Sequence, residues 1–118
     1  METTNSIIML KKMLDVCSLR HQVLANNLAN INTPGYIRRD VSFTDSLKNA
    51  IEKGSNSNLM SLSPEIETDT SAPVNANGNN VTTQSELGEI AENSLMYGVA
   101  VRALSSKYES IKKAISSK

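Results

Sequence analysis

The feature that most constrains this chain is a helical repeat of apolar residues near each end. In the first repeat, apolar residues recur at intervals of three and four over more than three heptads, with one polar interruption. The positions are Ile7, Leu10, Leu14, Cys17, His21, Leu24, Leu28 and Ile31. This period predicts one long helix with a coiled-coil seam.

A second row of residues runs beside that seam at the same spacing and passes through Arg20. One partner helix covers only one of two adjacent rows, so the hairpin alone is expected to be marginally stable. We therefore predict that the second row contacts another subunit. The residues predicted for this intersubunit surface are Met9, Met13, Val16, Val23, Asn27 and Asn30.

The second repeat follows Thr83-Gln84-Ser85-Glu86, a sequence typical of a helix capping box. Two helices with matching seams predict an all-α fold, in which the long N- and C-terminal helices pack as a coiled-coil hairpin. The connection is long enough for parallel or antiparallel packing, and antiparallel is favoured because it needs no long return. The predicted seam residues are Leu10, Leu14, Leu24 and Leu28 in the first helix, and Leu87, Ile90, Tyr97, Val101, Leu104 and Ile111 in the second.

The first helix is predicted to end in a stretch rich in side-chain amides. Pro34 disfavours helical geometry and Gly35 readily adopts positive φ, so the stop is a fixed turn. Each asparagine in the last helical turns costs up to about 0.7 kcal/mol relative to alanine. Either the amides are solvated at a fraying end, or they pair with another element or subunit, and we favour registration between subunits. The predicted assembly motif is Asn26, Asn27, Leu28, Asn30, Asn32, Thr33, Pro34, Gly35 and Tyr36.

Composition and period divide the chain into four segments. Residues 1–33 and 83–118 are the predicted helices. Residues 34–54 are predicted to hold the turn, a short extended arm with a period of two that ends at Phe43, and a short helix. Residues 55–82 are rich in Ser, Asn, Thr, Pro and Gly, which predicts a flexible central loop or linker.

The charge balance and apolar runs weigh against several classes of protein. Lys and Arg number 12 and Asp and Glu number 12, so no basic excess favours nucleic acid or an anionic membrane. No cleavable secretion signal is visible, and no run approaches the roughly 18 apolar residues of a membrane span.

The reactive residues do not form a recognisable catalytic set. Cys17 and His21 stand four residues apart and could form a nucleophile pair or half of a metal site. The chain has one cysteine and one histidine, however, so packing is the favoured interpretation. We predict no enzymatic activity, no cofactor, no metal ion and no small-molecule substrate.

Two charged clusters also have simple structural interpretations. Glu86, Glu89 and Glu92 fall near the start of the second helix, where negative charge suits the helix dipole, so a solvated face is expected. The pair Arg38-Arg39 is too small for a nucleic-acid footprint and is balanced by Asp40.

The run from Leu24 to Tyr36, Leu-Ala-Asn-Asn-Leu-Ala-Asn-Ile-Asn-Thr-Pro-Gly-Tyr, closely resembles the N-terminal motif of bacterial flagellar axial proteins. The continuation through Phe43, and the tail from Glu92 to Tyr97 and from Leu104 to Lys107, are similar to the proximal rod subunits of the FlgB type. The short length of the chain agrees with that resemblance. The resemblance covers both helices and the arm.

The resemblance implies a structural subunit of the proximal rod of the flagellar basal body. Such a subunit is exported without cleavage through the flagellar type III apparatus and lies in the periplasmic rod. Its expected partners are other rod subunits, basal-body proteins and export-gate proteins. Two alternatives remain open: the adjacent rod subunit of the same family, and a coiled-coil adaptor that forms a discrete dimer.

Overall fold

Two long helices dominate the fold. The computed structural model describes residues 2–42, 52 and 61–117. Helix α1 spans Glu2–Ala29 and helix α2 spans Thr83–Ser116. At 1.5 Å per residue these helices are about 42 and 51 Å long. The molecule is correspondingly elongated, with extents of 67 × 26 × 14 Å.

The helices form an antiparallel hairpin. Asn27, near the end of α1, donates to Glu86 in the first turn of α2. Ten residues earlier in α1, the carbonyl of Cys17 accepts a hydrogen bond of 2.8 Å from the amide of Asn93. The predicted helical hairpin is thus confirmed, in its favoured antiparallel orientation.

The inner face of α2 differs from the predicted seam by one residue. Its buried residues are Glu86, Asn93 and Ala100, whereas Leu87 and Val101 are exposed. Tyr97 and Ile111 are exposed as well, and only Ile90 and Leu104 of the predicted seam are half-buried. The rotation has a physical cause, because turning α2 toward Leu87 would break the polar contacts of Glu86 and Asn93 with α1 and the arm.

The inner face of α1 follows the predicted seam more closely. Leu10, Cys17 and Leu24 are buried at seven-residue intervals. Leu14 and Leu28 are half-buried, and His21 is exposed. A buried heptad of this kind is what an antiparallel partner helix requires.

The start of α2 also differs from the predicted capping box. The N-cap is Thr82, whose hydroxyl oxygen accepts a hydrogen bond of 3.4 Å from the amide of Ser85. Glu86 does not reach back to the cap, because its carboxylate is held by Arg38.

Two short strands pair with each other, and the first of them packs on the side of α1. Strand β1 spans Arg39–Ser42 and strand β2 spans Glu65–Thr68, and they pair antiparallel. The ladder continues through a hydrogen bond of 2.8 Å from the amide of Asp69 to the carbonyl of Arg38. Strand β1 lies within the predicted extended arm, whereas β2 lies in the segment predicted to be flexible. Phe43 and most of the short helix predicted up to residue 54 lie outside the described residues.

Candidate functional site

A group of interlocked polar side chains joins the arm, the central loop and both helices. We call it the polar hub. It consists of Arg20, Asn27, Arg38, Asp40, Asp69, Glu86 and Glu89.

Arg38 lies at the centre of the hub, just before β1, and only 4% of its surface is exposed. Its Nε donates to Oε1 of Glu86 at 2.7 Å, and its Nη2 donates to Oε2 of Glu89 at 3.0 Å. Its Nη1 donates to the carboxylate of Asp69, which follows β2. One guanidinium therefore ties the first two turns of α2 to both strands, using the planar fork of donors that lysine lacks.

Asn27 is fully buried next to Arg38, and its amide uses every donor and acceptor it has. Its Nδ2 donates to the carbonyl of Arg39 at 2.7 Å and to Oε2 of Glu86 at 3.2 Å. Its Oδ1 accepts from the hydroxyl of Tyr36 at 3.0 Å and from the amide of Arg39 at 2.9 Å. The cost of an asparagine in the last turns of α1 is thus offset within the same chain.

Asn79 holds the turn that follows α1. Its Nδ2 donates to the carbonyls of Asn30, Ile31 and Thr33 at 2.9, 3.1 and 2.8 Å. These carbonyls lie just beyond Ala29, the last residue of the helix. The central loop therefore fixes the turn through which the chain leaves α1.

Asn80 holds the arm beside the segment that follows β2. Its Oδ1 accepts from the amide of Arg38 at 2.7 Å, and its Nδ2 donates to the carbonyl of Asp69 at 2.7 Å. Both Asn79 and Asn80 are buried. The pair therefore joins the loop to α1 on one side and to the hub on the other.

Two glycine turns meet at the base of the hairpin. Gly35 and Gly78 both have positive φ, of 75° and 81°. A Cβ on Gly78 would lie 3.4 Å from the Cα of Gly35. The amide of Gly35 donates to the carbonyl of Asn77 at 2.9 Å. The two turns therefore form one joined base.

The outer part of the hub is a second ion-pair cluster. Arg20 lies 2.9 Å from Asp40 and 3.0 Å from Glu89, measured between the nitrogen and oxygen atoms. The hydrogen bond with Asp40 raises the pKa of Arg20. Burial opposes the charge of Arg38, but its hydrogen bonds with Glu86 and Asp69 outweigh that effect, and the pKa of Arg38 is raised.

The carboxylates of Glu89, Asp40 and Asp69 differ in the direction of their pKa shifts. Burial raises the pKa of Glu89, and the attraction of Arg38 opposes but does not cancel that effect. Burial also acts to raise the pKa of Asp40, but the hydrogen bond from Arg20 outweighs it, so this pKa is lowered. Hydrogen bonds from Ser71 lower the pKa of Asp69. Of these three carboxylates, Glu89 alone has a raised pKa, so its charge is the one that its surroundings disfavour.

The predicted assembly motif splits into two groups in the structure. Asn27, Gly35 and Tyr36 take part in the contacts within the chain described above. Asn30 makes local contacts at the helix end, donating to the carbonyl of Asn26 at 2.8 Å. Of the remaining residues, Leu28 is half-buried and Asn32, Thr33 and Pro34 are exposed.

Two residues of the predicted intersubunit row are covered by their own chain. Asn27 is fully buried and Val23 is 8% exposed, so neither presents a surface to a neighbour. The side-chain amide of Asn27 was expected to pair with another subunit. Instead, its hydrogen bonds are made to Tyr36, Arg39 and Glu86 of its own chain. Met9, Met13, Val16 and Asn30 are half-buried, and their contact with another subunit stays a prediction.

Several hub residues were missed by reasoning from the sequence. Glu86 and Glu89 were expected on a solvated face, yet Glu86 is fully buried and Glu89 half-buried. Arg38 was dismissed as half of a small basic pair. The signal that was missed is the positive charge of Arg38 itself. An arginine in a period-two arm needs an acidic partner if its strand packs on a helix.

Cys17 and His21 do not form a reactive pair. Cys17 is buried and desolvation raises the pKa of its thiol, which disfavours the nucleophilic thiolate. His21 is exposed on a groove of about 410 Å³ that Cys17, Ser18 and Gln22 line from α1 and Ser94 and Tyr97 from α2. Across the part of the chain that is described, no group of three or more His, Cys, Asp or Glu is placed to bind a metal ion.

The long hairpin and its polar hub place the chain in the class of elongated helical-hairpin proteins. Residues 18–36, which run from α1 through the turn, match the sequence family described as flagella basal body rod protein. Among the described residues, no helix is both long and apolar enough to cross a membrane.

Related proteins support the same assignment over most of the chain. The flagellar basal body rod protein FlgB of Borreliella burgdorferi is 32% identical, over 83% of this chain and 86% of its own length. FlgB of Escherichia coli strain K12 is 29% identical, over 88% of each chain. FlgB of Bacillus subtilis strain 168 is 30% identical, over 87% of each chain. The chain belongs to the flagellar basal-body rod protein family and is similar to its FlgB members.

Proposed function

We propose that this chain is a structural subunit of the proximal rod of the flagellar basal body. It packs through its terminal helices into the axial tube that transmits torque and conducts exported subunits. The observation that carries the proposal is the outer surface of α2, which stays apolar although the hairpin is complete. Its exposed large apolar residues are Leu87, Leu95, Met96, Tyr97, Val99, Val101, Tyr108, Ile111 and Ile115.

This surface favours assembly. Leu95 is 70% exposed, Val99 58% and Ile115 72%. Contiguous apolar surface on a soluble chain typically marks an interaction site. A helix that exposes apolar residues on several sides gains their burial only when neighbours surround it, as they do in a tube.

The polar hub gives the subunit a fixed shape at one end. Buried ion pairs contribute little net stability but are strongly destabilising when one partner is removed. The hub thus orients the arm and the glycine base relative to the helices. A subunit whose turn is already fixed can add to a growing tube without a large ordering cost.

The proposed location and partners follow from the family. The subunit lies in the periplasmic rod, reached through the flagellar export apparatus without a cleaved signal. Its neighbours are other rod subunits, together with basal-body and export-gate proteins.

Complementation tests the proposal. The gene is deleted in its native bacterium, and the full chain is then returned with a small epitope tag. We expect restored motility, and the tagged chain should copurify with isolated basal bodies. A motile deletion strain, or a restored strain whose basal bodies lack the chain, would overturn the proposal. A stable dimer at micromolar concentration, found outside basal bodies, would favour the adaptor alternative.

A further inference from the structure

Two exposed rows, one on each helix of the hairpin, match one another in spacing and carry complementary charges. The first lies on α1 and contains Lys11, Asp15, Ser18 and Gln22. The second lies on α2 and contains Leu95, Val99, Arg102 and Glu109. All eight side chains are exposed.

The rows have the same step pattern when read in opposite directions. From Gln22 back to Asp15 the steps are four and three residues, as they are from Leu95 to Arg102. Because α1 and α2 are antiparallel, two copies lying parallel bring α2 of one against α1 of the next in opposite directions. Leu95 then faces Gln22, Val99 faces Ser18 and Arg102 faces Asp15.

The charges agree with this pairing. Arg102 meets Asp15, and Glu109 lies within a turn of Lys11 at the next level. None of these four residues has an ion-pair partner among the described residues of its own chain. Alternating opposite charges beside an apolar contact specify the register of paired helices.

A groove of the neighbouring copy lies where the apolar residues of the second row would pack. Ser18 and Gln22 form one wall of the groove of about 410 Å³ that Cys17 and Tyr97 also line. In the pairing above, Leu95 and Val99 lie level with that wall. This pairing would bring Leu95 and Val99 of one copy beside the groove of its neighbour.

We propose that a second copy of this chain docks its Leu95–Val99–Arg102–Glu109 row onto the Lys11–Asp15–Ser18–Gln22 row, with both copies parallel. The inference deepens the proposed rod function and rests on it. Within one chain Asn93 lies beside Cys17, so the pairing shifts neighbours by about seven residues, or about 10 Å.

The contact joins two different surfaces of the subunit. Such a heterologous interface leaves a free surface on each side of the pair, and repetition produces a ring or an open helix. With an axial shift at each step, repetition gives a helix, which is the symmetry that a tube of identical neighbours requires.

Charge reversal in the complemented strain tests the contact. Arg102→Asp and Asp15→Arg are each expected to lower the amount of chain in isolated basal bodies about fivefold, because an exposed ion pair becomes a repulsion. The double variant, Asp15→Arg with Arg102→Asp, should restore incorporation. Lys112→Glu is the matched control, since Lys112 is exposed on α2 outside the row.

Disulfide crosslinking gives an independent readout. In a Cys17→Ala background, Ser18→Cys with Val99→Cys should yield ladders of linked copies in assembled rods, whereas Val99→Cys alone should yield none. A dimer from Val99→Cys alone would show that like surfaces meet, and would overturn the inference. Normal incorporation of both single reversals would overturn it as well. In either case motility restored by the unaltered chain leaves the rod function standing, whereas failure of the unaltered chain removes both.

Discussion

At the scale of single residues, a few buried polar groups make the hydrogen bonds on which the stability of the fold depends most. Glu86, Asn27 and Asn79 are fully buried, and each is satisfied by partners distant in the sequence. Buried polar groups of this kind contribute modestly when paired and are costly when left alone. Substitutions should therefore differ sharply between a hub residue and its exposed neighbour.

Replacing Arg38 by methionine leaves Glu86 as a buried charge without its main partner. We expect Arg38→Met to lower the free energy of unfolding by about 3–5 kcal/mol in urea titrations followed by circular dichroism. The adjacent Arg39→Met is the control and should stay within about 0.5 kcal/mol of the unaltered chain, because the Arg39 side chain is exposed. Adding Glu86→Gln to Arg38→Met should recover part of the loss. Equal effects of the two arginine substitutions would contradict the central role of Arg38.

Removing the side chain of Asn79 should loosen the turn that follows α1. We expect Asn79→Ala to cost about 1–3 kcal/mol, since the carbonyl of Ile31 loses its described donor and those of Asn30 and Thr33 keep only a backbone donor. Amide exchange should quicken at Thr33 and Tyr36, whose amides donate within that turn. Asn75→Ala is the matched control, because Asn75 is exposed and its described contacts are made by the backbone.

At the scale of elements, the two helices were predictable and their relative rotation was not. Periods of three and four fixed the existence of α1 and α2, because burying such a stripe requires a helix. The register of α2 depends on Glu86 and Asn93, polar residues that an apolar count does not choose. Strand β2 was missed because its four residues include a single large apolar residue, Ile66, which is too few to show an alternation.

Substitutions at Gly98 and Gly35 distinguish the effect of helix propensity from the effect of backbone strain. Nothing lies within 4 Å of a Cβ built on Gly98 in α2, so Gly98→Ala should stabilise the chain by about 0.5–1 kcal/mol. Gly35→Ala should instead destabilise it by about 1–3 kcal/mol, because alanine is strained at a φ of 75°. Thermal unfolding of both variants measures the contrast. A stabilising Gly35→Ala would show that the base turn adopts another conformation in solution.

At the scale of the whole molecule, equal numbers of acidic and basic residues conceal a local imbalance. The hub holds Asp40, Asp69, Glu86 and Glu89 against Arg20 and Arg38. The overall balance is visible in the sequence but this convergence is not, because the four carboxylates come from three separate segments. Asn27 and Tyr36 of the predicted assembly motif contact the hub or belong to it, but the hub carboxylates were not predicted, and the role of the motif in assembly stays a prediction.

The opposite pKa shifts in the hub predict a stability maximum in mild acid. Asp40 and Asp69 have lowered pKa values, so their contribution is present above the ordinary value of 3.8 and is lost as pH falls through the folded values. Glu89 has a raised pKa, so its contribution declines as pH rises from the ordinary value of 4.5 through the folded value. The urea concentration at the midpoint of unfolding, measured across pH, should be highest between the decline on the acid side and the decline on the neutral side.

Two single substitutions test which carboxylate causes each of these two declines in stability. Glu89→Gln should flatten the decline on the neutral side, and Asp69→Asn should reduce the decline on the acid side. A midpoint that rises steadily from pH 4 to pH 7 in the unaltered chain would show that the charge of Glu89 is better accommodated than its burial implies.

The hub also fixes the order in which this chain acquires its shape. Arg38 and Glu86 are 48 residues apart, and Cys17 and Asn93 are 76 apart, so the stabilising contacts close long loops. Such contacts form slowly, because the entropy of loop closure is lost before the contact is gained. If the chain is exported N-terminus first, as the proposed function implies, α1, the arm and the loop leave the channel before Glu86 and Glu89 of α2. The hub then forms only after the start of α2 has emerged.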